Sequence, residues 1–385
     1  MKHLLFDLSC LQLGPKVGGA AAYAKRVLEE LVQYPVTLYA VYDIQYCFHP
    51  VYEIPKFLEQ HEIPLINIQG SSIAEIVHQY NINTVFLPLG QYARFYNLKD
   101  IPCRVVIAIH DIFNLEENDI HLDLSIQDPL LHKTRLGTIK HLVNNFIGRK
   151  KVLLERYYRP LYELMSQPNT EVMTVSHYSQ MAMMYYIPCL VNKEIKFFYS
   201  PTKEVPVVKD INNSILRQLI SGNQRFFFMI SANRYTKNPT NVIKAFRVFA
   251  KRHPEYLLVT VGYPKSVHPN HVALPILTES DLEYAYKHAF ALIFASFFEG
   301  FGYPPIEAMR YGTPVLASNV TSIPEVCGDA ATYFSPFYPA DIYRAMEAFI
   351  TADYEEIRQR SYNRAKEMSD LQHKHLDDLI KFLLQ

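Results

Sequence analysis

Two glutamates, Glu299 and Glu307, stand eight positions apart in the segment ASFFEGFGYPPIEAM (295–309). The apolar residues before Glu299 predict a buried strand. A short helix is predicted over 305–311, because proline is tolerated in a first helical turn and glycine is favoured just past a helix end. Glu299 then lies on the loop after the strand, and Glu307 lies in the first turn of the helix. Carboxylates beside backbone N–H groups and a helix N-terminus predict a site for a polar, anionic ligand.

Two cations, Arg234 and Lys237, follow the strand pattern of residues 225–231 and precede an amphipathic helix pattern. Cations three residues apart at the exit of a strand can neutralise a diphosphate, Arg with its planar fork and Lys as a point charge. The residues alone leave a second interpretation open, in which this is a solvated loop and Asn238 or Thr240 caps the helix.

The first half of the chain carries two further candidates. His110 ends the strand pattern 104–111, where a neutral imidazole can accept or donate a hydrogen bond near pH 7. The alternative is a strand-end histidine that backbone groups satisfy. Gly18 and Gly19 precede a helix that is expected to start near Ala20, and a glycine loop that opens onto a helix N-terminus can contact phosphate.

Short apolar runs recur along the chain, each followed by polar turn residues and a helical pattern. These runs lie at 4–9, 36–43, 84–90, 104–111, 171–176, 195–200, 225–231, 256–262, 290–296 and 313–318. Continuous rather than alternating runs are typical of strands covered on both faces, so they predict parallel sheets with helices on either side. We therefore expect an α/β fold with two doubly wound sheets and a join near 200–209. Ligands of open parallel sheets bind outside the carboxyl ends of the strands, where His110, Arg234 and Glu299 are placed.

Composition narrows the class of protein. A chain of 385 residues favours two domains. No run approaches the roughly 18–20 apolar residues of a membrane span, and the N-terminus is interpreted as a strand, not a signal peptide. The 5 cysteines are scattered without a CxxC, so we expect a reducing cytoplasm and no structural metal. A net charge of zero gives no reason to expect a nucleic-acid partner.

The motifs EGFGYPPIEAM, GTPVLAS and SIPEV, in this order and spacing, resemble the donor-sugar site of retaining glycosyltransferases of family 4. The hallmark of that family is two glutamates separated by seven residues. The resemblance covers nearly the whole chain and implies the GT-B architecture, in which two Rossmann-like domains face each other across a cleft. It implies an acceptor-side domain at 1–200, a nucleotide-sugar domain at 201–365 and a C-terminal helix, 366–385, that crosses back to the first domain.

The resemblance also implies roles for the site residues. Arg234 and Lys237 would hold the leaving diphosphate, Glu307 the ribose, and Glu299 the hydroxyls of the donor sugar. His110 would lie near the donor sugar and the acceptor, and it is counted as catalytic together with Glu299, Arg234 and Lys237. The remaining donor-binding residues implied are Gly18, Gly19, Leu277 (by its backbone, at the nucleobase), Gly300, Phe301 and Gly302.

The reaction implied is transfer of a hexose from a nucleoside-diphosphate sugar to a hydroxyl of a glycan or lipid-linked saccharide in surface polysaccharide biosynthesis, with retained configuration. Mannose is the favoured sugar. No cofactor is expected, and the lack of a DxD pair in the sequence argues against a metal-held diphosphate. Two other functions stay open: a nucleotide-sugar epimerase on a related fold, and a non-catalytic nucleotide-sugar-binding protein.

The segment 132–159 is rich in Lys and Arg and has apolar residues on one helical face. A basic amphipathic helix can lie on an anionic membrane surface, which would place the protein peripherally at the inner face of the membrane. An ordinary helix that packs its apolar face on the domain explains the pattern equally well.

Overall fold

The computed structural model describes residues 2–12, 18–90, 97–119, 158–203, 205 and 211–385. The chain divides into two compact units, and two of the changeovers between them lie between Lys203 and Glu204 and between Asp370 and Leu371. The sequence had placed the corresponding limits at 200/201 and 365/366. The acceptor and donor roles assigned to these domains stay predictions.

The first unit is built on a sheet of seven parallel strands in the order β3-β2-β1-β4-β5-β6-β7. The strands are β1 (Lys2–Asp7), β2 (Val36–Tyr42), β3 (Leu65–Asn67), β4 (Thr84–Leu87), β5 (Arg104–Ile109), β6 (Thr170–Thr174) and β7 (Ile195–Phe197). The central strands β4 and β5 are almost wholly buried, which explains their unbroken apolar sequences.

Helices connect these strands. In the described part of the first unit they are α1 (Ser9–Gln12), α2 (Gly19–Leu31), α3 (Ile54–Gln60), α4 (Ile73–Tyr80), α5 (Phe113–Asp119), α6 (158–165) and α7 (His177–Tyr186), with 3-10 turns at Pro50–Tyr52 and Pro188–Leu190. Two of these helices begin after a serine, a residue type that is favoured at the N-cap position. The side chain of Ser176 accepts from Ser179 N at the start of α7, and Ser72 forms a capping box with Glu75 at the start of α4.

The second unit contains a sheet of six parallel strands in the order β10-β9-β8-β11-β12-β13. The strands are β8 (Phe226–Met229), β9 (Leu257–Val261), β10 (His271–Leu274), β11 (Ala291–Phe294), β12 (Val315–Ser318) and β13 (Ala331–Phe334). Both faces of the sheet are covered. On β8, Phe227 and Met229 belong to one buried cluster, and Phe226 and Phe228 belong to the other.

The helices of the second unit lie on these two faces. They are α8 (Ser214–Ser221), α9 (Pro239–Phe249), α10 (Glu279–His288), α11 (Tyr303–Met309), α12 (Ile323–Cys327), α13 (Pro339–Thr351) and α14 (Tyr354–Leu383), with 3-10 turns at Tyr235–Lys237 and Gly328–Ala330. The last helix, α14, contributes its first part to the second unit and Leu371–Gln385 to the first. In the first unit, Gln372 Nε2 donates to Ser200 O, and Arg104 Nη1 donates to Phe382 O at 2.8 Å.

All ten predicted strands are present, within three residues at each end. The sequence missed β3, β10 and β13.

One helix boundary was wrong: α11 begins at Tyr303 and ends at Met309, whereas 305–311 was predicted. Gly302 adopts a positive φ of 95° and breaks the extended chain there, so both prolines already lie inside the first turn. Glu307 is therefore the fifth helical residue, in the second turn and not in the first.

Candidate active site

The candidate site lies where the order of the second sheet reverses. From β8 the chain first adds β9 and β10 on one side and then β11, β12 and β13 on the other. The carboxyl ends of β8 and β11 therefore flank a topological switch point, where open α/β sheets form a crevice for ligands. The segment after β8 carries Arg234 and Lys237, and the loop after β11 carries Glu299.

A side-chain ion pair joins these two segments. Lys237 Nζ contacts Glu299 Oε1, and each side chain is only 14% exposed. The Lys237 ammonium also lies 5.2 Å from the centroid of the Phe294 ring, a cation–π distance. The backbone adds a second link, because Phe297 N donates to Thr236 O at 2.8 Å. A cation and a carboxylate thus lie beside each other at the switch point.

The glutamate loop is anchored by the residues that follow β12. Glu299 N donates to Thr321 Oγ1 at 3.2 Å. The buried Ser322 hydroxyl lies 3.0 Å from both Glu299 O and Phe301 O. Thr321 itself adopts a positive φ of 54°, a conformation that costs a β-branched residue energy. The backbone of Glu299–Phe301 is therefore held in place by side chains, as a preorganised binding loop requires.

Gly302 completes this loop. With φ at 95°, the position suits glycine, and a Cβ there would stand 3.4 Å from the Phe294 ring. Gly300 and Phe301 before it are buried. The three residues that the resemblance assigned to the donor sugar thus form one tight turn between Glu299 and α11, and their roles stay predictions.

Glu307 lies inside the domain rather than on its surface. It is 8% exposed, and its Oε2 accepts a hydrogen bond from the hydroxyl of Tyr286 at 2.8 Å. Burial, and next the charge of Glu307, raise the pKa of Tyr286 well above its usual value. The phenol therefore stays protonated and acts as the donor. Acidic residues are also favoured in the first turn of a helix, where they cap it, but Glu307 lies in the second turn and does not fit that role.

Arg234 differs from Lys237 in its surroundings. It is exposed, and no carboxylate of the described residues forms an ion pair with it. Arg234 precedes the 3-10 turn of Tyr235–Lys237, and Lys237 is the last residue of that turn. Asn238 follows it and adopts a positive φ of 62°. Asn238 occupies the N-cap position of α9, but its side chain forms no capping hydrogen bond and donates to Pro336 O at 2.7 Å instead. Within the described residues, Arg234 is thus an exposed cation without a carboxylate partner at the switch point.

His110 lies in the first unit, directly after β5, and is 8% exposed. Burial lowers the pKa of His110 to about 4, so the ring is neutral near pH 7. Its Nε2 lies 2.8 Å from Pro88 O, and because a carbonyl only accepts, this nitrogen carries the proton. Nδ1 is then an acceptor. The ring also stands edge-on to Tyr23, with centroids 4.6 Å apart. Nε2–H thus donates to a backbone carbonyl, as expected for a strand-end histidine that backbone groups satisfy. Nδ1 is able to accept a hydrogen bond.

The other candidates lie in separate places. Gly18 is the N-cap of α2, which begins at Gly19, one residue before the predicted start. Leu277 lies between β10 and α10 and packs partly on the core of the second unit. The segment 132–157 lies outside the described residues, so the predicted basic helix is not tested there.

The sequence missed Tyr286, Thr321 and Ser322, because no local pattern links these three residues to the glutamates they contact.

Two observations concern metal and membrane sites. Within the residues that the structure describes, no three His, Cys, Asp or Glu side chains cluster as metal ligands would. The cysteines at positions 10, 47, 103, 189 and 327 are free thiols. Over the same described ranges, no helix has the length and apolar character needed to cross a membrane.

The profile of the family described as "Glycosyl transferases group 1" matches residues 210–368. This range includes Arg234, Lys237, Glu299, Glu307 and the strands that position them. Residues 210–368 are thus similar in sequence to the group 1 glycosyltransferases.

Two curated relatives share parts of this glycosyltransferase sequence. The "Serotype-specific mannosyltransferase WbdA" of Escherichia coli is 40% identical over 102 residues, which are 26% of this chain and 12% of WbdA. The "O-antigen chain mannosyltransferase RfbU" of Salmonella typhimurium is 26% identical over 222 residues, 54% of this chain and 58% of RfbU. In both cases the match spans less than two thirds of the relative.

Among solved structures, HepE of Anabaena in complex with UDP and glucose matches over 100% of this chain and 99% of its own, with a TM-score of 0.66 and 15% identity. At this identity the likeness concerns the fold. The predicted GT-B class, with two doubly wound parallel-sheet domains, is confirmed. The cleft between the domains stays a prediction.

Proposed function

We propose that the protein transfers a hexose from a nucleoside-diphosphate sugar to a hydroxyl of a glycan or lipid-linked saccharide, with retained configuration at the anomeric carbon. Mannose is the sugar we favour, since both relatives described above are named mannosyltransferases. The observation that carries the proposal is the pairing of Lys237 with Glu299 at the switch point, with Arg234 and Glu307 on the same two connections. That HepE is solved with UDP and glucose supports a nucleotide-sugar donor.

In the proposed donor site, the cationic side chains bind the diphosphate and the carboxylates bind hydroxyl groups. Arg234 and Lys237 would bind the diphosphate, because guanidinium and ammonium groups suit phosphate oxygens. Glu307 would accept hydrogen bonds from the ribose hydroxyls. Glu299 would accept from the hydroxyls of the transferred sugar, aided by the backbone N–H groups of the Gly300–Gly302 turn. A base contact by the backbone of Leu277 is part of the same proposal.

The proposed reaction is a displacement on one face of the sugar. The acceptor oxygen forms a bond to the anomeric carbon as the bond from that carbon to the diphosphate oxygen breaks. The acceptor proton passes to the departing diphosphate, and the products are the glycoside and a nucleoside diphosphate. Arg234 and Lys237 would stabilise the charge that develops on the leaving group, which is the largest contribution these residues can make to the rate. No protein nucleophile and no metal take part in this scheme.

In the first unit, His110 would orient a hydroxyl group through Nδ1. The ring is neutral, and Nε2–H is committed to Pro88 O, so Nδ1 can accept but not donate. A neutral acceptor of low basicity can fix the direction of a hydroxyl without removing its proton. This fits the proposed scheme, in which the leaving diphosphate takes the proton.

An activity assay tests the proposal. GDP-mannose, UDP-glucose and ADP-glucose are incubated with the protein and a membrane-lipid extract, and release of each nucleoside diphosphate is followed with and without EDTA. We expect acceptor-dependent release from GDP-mannose, unaffected by EDTA, and an α-linked product in the proton NMR spectrum. Conversion of the sugar without acceptor would favour an epimerase. Nucleotide-sugar binding without turnover would favour a non-catalytic binding protein.

A further inference from the structure

A phenol–carboxylate pair lies behind the proposed ribose site. Tyr286, on α10, has no exposed surface, and its ring stands edge-on to Phe228 with centroids 5.7 Å apart. Its hydroxyl donates to Glu307 Oε2 at 2.8 Å, across the contact between α10 and α11. The backbone is fixed too, because Thr313 Oγ1 donates to Tyr286 O at 2.6 Å. The phenol therefore has little freedom to follow Glu307 if the carboxylate turns.

The pair has a physical consequence for the carboxylate. A buried carboxylate is costly unless hydrogen bonds satisfy its oxygens, and a hydrogen bond from a neutral donor stabilises the charged form. The bond to Oε2 also fixes the plane of the carboxyl group. Removing the phenol hydroxyl would take away one of the hydrogen bonds that stabilise and orient this buried carboxylate.

We infer that Tyr286 is a positioning residue for nucleotide binding, which orients the Glu307 carboxylate to accept from the vicinal hydroxyls of a ribose. The inference rests on the proposed function, since it assigns Tyr286 to the same site. It goes beyond the family motif, because Tyr286 lies 21 residues before Glu307 on a different helix.

The domain contains a matched control. The Tyr311 hydroxyl, just past the end of α11, donates to Glu283 Oε2 at 2.6 Å, and Glu283 also lies 3.4 Å from Arg310 Nη2. This second phenol–carboxylate bond joins α10 to the same neighbouring segment as the first. It does not involve Glu307. A variant that loses only the Tyr311 bond therefore reproduces the structural effect without the proposed effect on the ligand.

The test compares Tyr286→Phe with Tyr311→Phe. Isothermal titration calorimetry measures the Kd of each full-length variant for GDP and for 2′,3′-dideoxy-GDP, which lacks both ribose hydroxyls. We expect Tyr286→Phe to weaken GDP binding about tenfold, equivalent to about 1.4 kcal/mol. Binding of the dideoxy analogue should be unchanged. Tyr311→Phe should change neither Kd.

Three outcomes would overturn the inference. The first is an unchanged GDP affinity in Tyr286→Phe. The second is an equal weakening of GDP and the dideoxy analogue, which would indicate a general structural effect. The third is the same weakening in Tyr311→Phe. Failure of the wild type to bind GDP, UDP or ADP is a different result, since it contradicts the proposed donor site itself and removes the inference with it. If another of these nucleotides binds in place of GDP, the comparison is made with that nucleotide and its dideoxy analogue.

Discussion

Lys237 and Glu299 form an ion pair in which each side chain is largely buried. A diphosphate that approaches Lys237 must therefore compete with Glu299 for the ammonium group. Arg234, in contrast, is exposed and has no such partner among the described residues. At the scale of single residues, the site thus holds one cation that is ready for an anion and one that must be shared.

Because Glu299 competes with a diphosphate for Lys237, substitutions of Glu299 and of Lys237 should have opposite effects on nucleoside-diphosphate binding. Glu299→Gln releases Lys237, so we expect a bare nucleoside diphosphate to bind about two- to fivefold more tightly, as for an ion pair worth about 0.5–1 kcal/mol. Lys237→Met should weaken the same binding and lower the rate of transfer. Calorimetry with GDP measures both effects. Glu194→Gln, which removes an exposed pair with Lys196, is the control and should change nothing.

The account would be contradicted at this point if Glu299→Gln weakened nucleoside-diphosphate binding as strongly as Lys237→Met. Glu299 would then act on the nucleotide itself, and not on the transferred sugar.

His110 predicts a pH dependence of stability. Burial lowers the pKa of His110 from 6.5 to about 4 in the folded protein. As the pH falls through 6.5 the unfolded chain takes up a proton that the folded chain does not, so stability is lost between pH 6.5 and about 4. The expected loss is about 3 kcal/mol. Urea unfolding across this range should show a shallower decline in His110→Gln, whereas His78→Gln, at an exposed site, should follow the wild type. Identical slopes for all three proteins would contradict the assignment.

At the scale of elements, burial decides what the sequence could predict. The ten strands found from the sequence include every interior strand of both sheets, because their apolar runs are continuous. The three that were missed, β3, β10 and β13, all lie at sheet edges and are only partly buried. Their residues face solvent in part, so no apolar run marks them.

The candidate site, too, could be predicted from the sequence only in part. The spacing of Glu299 and Glu307 could be found in the sequence, since both lie on one strand–loop–helix unit. Tyr286, Thr321 and Ser322 could not, because each reaches its glutamate or its loop from another element. Contacts of this kind depend on the packing of α10 and of the segment after β12, which local patterns do not specify.

Gly302 and Gly18 allow a matched test of the loop geometry. Both are N-cap residues, with φ at 95° for Gly302 and −119° for Gly18. A Cβ at Gly18 would meet no atom of the described residues within 4 Å, and one at Gly302 would make an ordinary contact, 3.4 Å from the Phe294 ring. Because an L side chain is strained at the positive φ of Gly302, Gly302→Ala should lose about 1–3 kcal/mol more stability than Gly18→Ala. Thermal or urea unfolding gives both values. Equal losses would mean that the turn at Gly302 relaxes without strain.

At the scale of the whole molecule, the chain combines two doubly wound sheets, and the second lies within the range that matches the group 1 glycosyltransferase profile. All the donor-site residues proposed in that unit lie on connections after β8, β10 and β11, beside the carboxyl edge of the sheet. Fold and site therefore agree on one place for the nucleotide.

The most direct measurement is a thermal-shift titration of the full chain with GDP, UDP, ADP and CMP, run in parallel on the wild type and on Glu307→Ala. Our account predicts stabilisation by one nucleoside diphosphate, worth about 2.7 kcal/mol at a hundredfold excess over its Kd, and a clearly smaller shift in the variant. No shift with any nucleotide, or an equal shift in the wild type and in Glu307→Ala, would contradict a nucleotide site at this edge of the sheet.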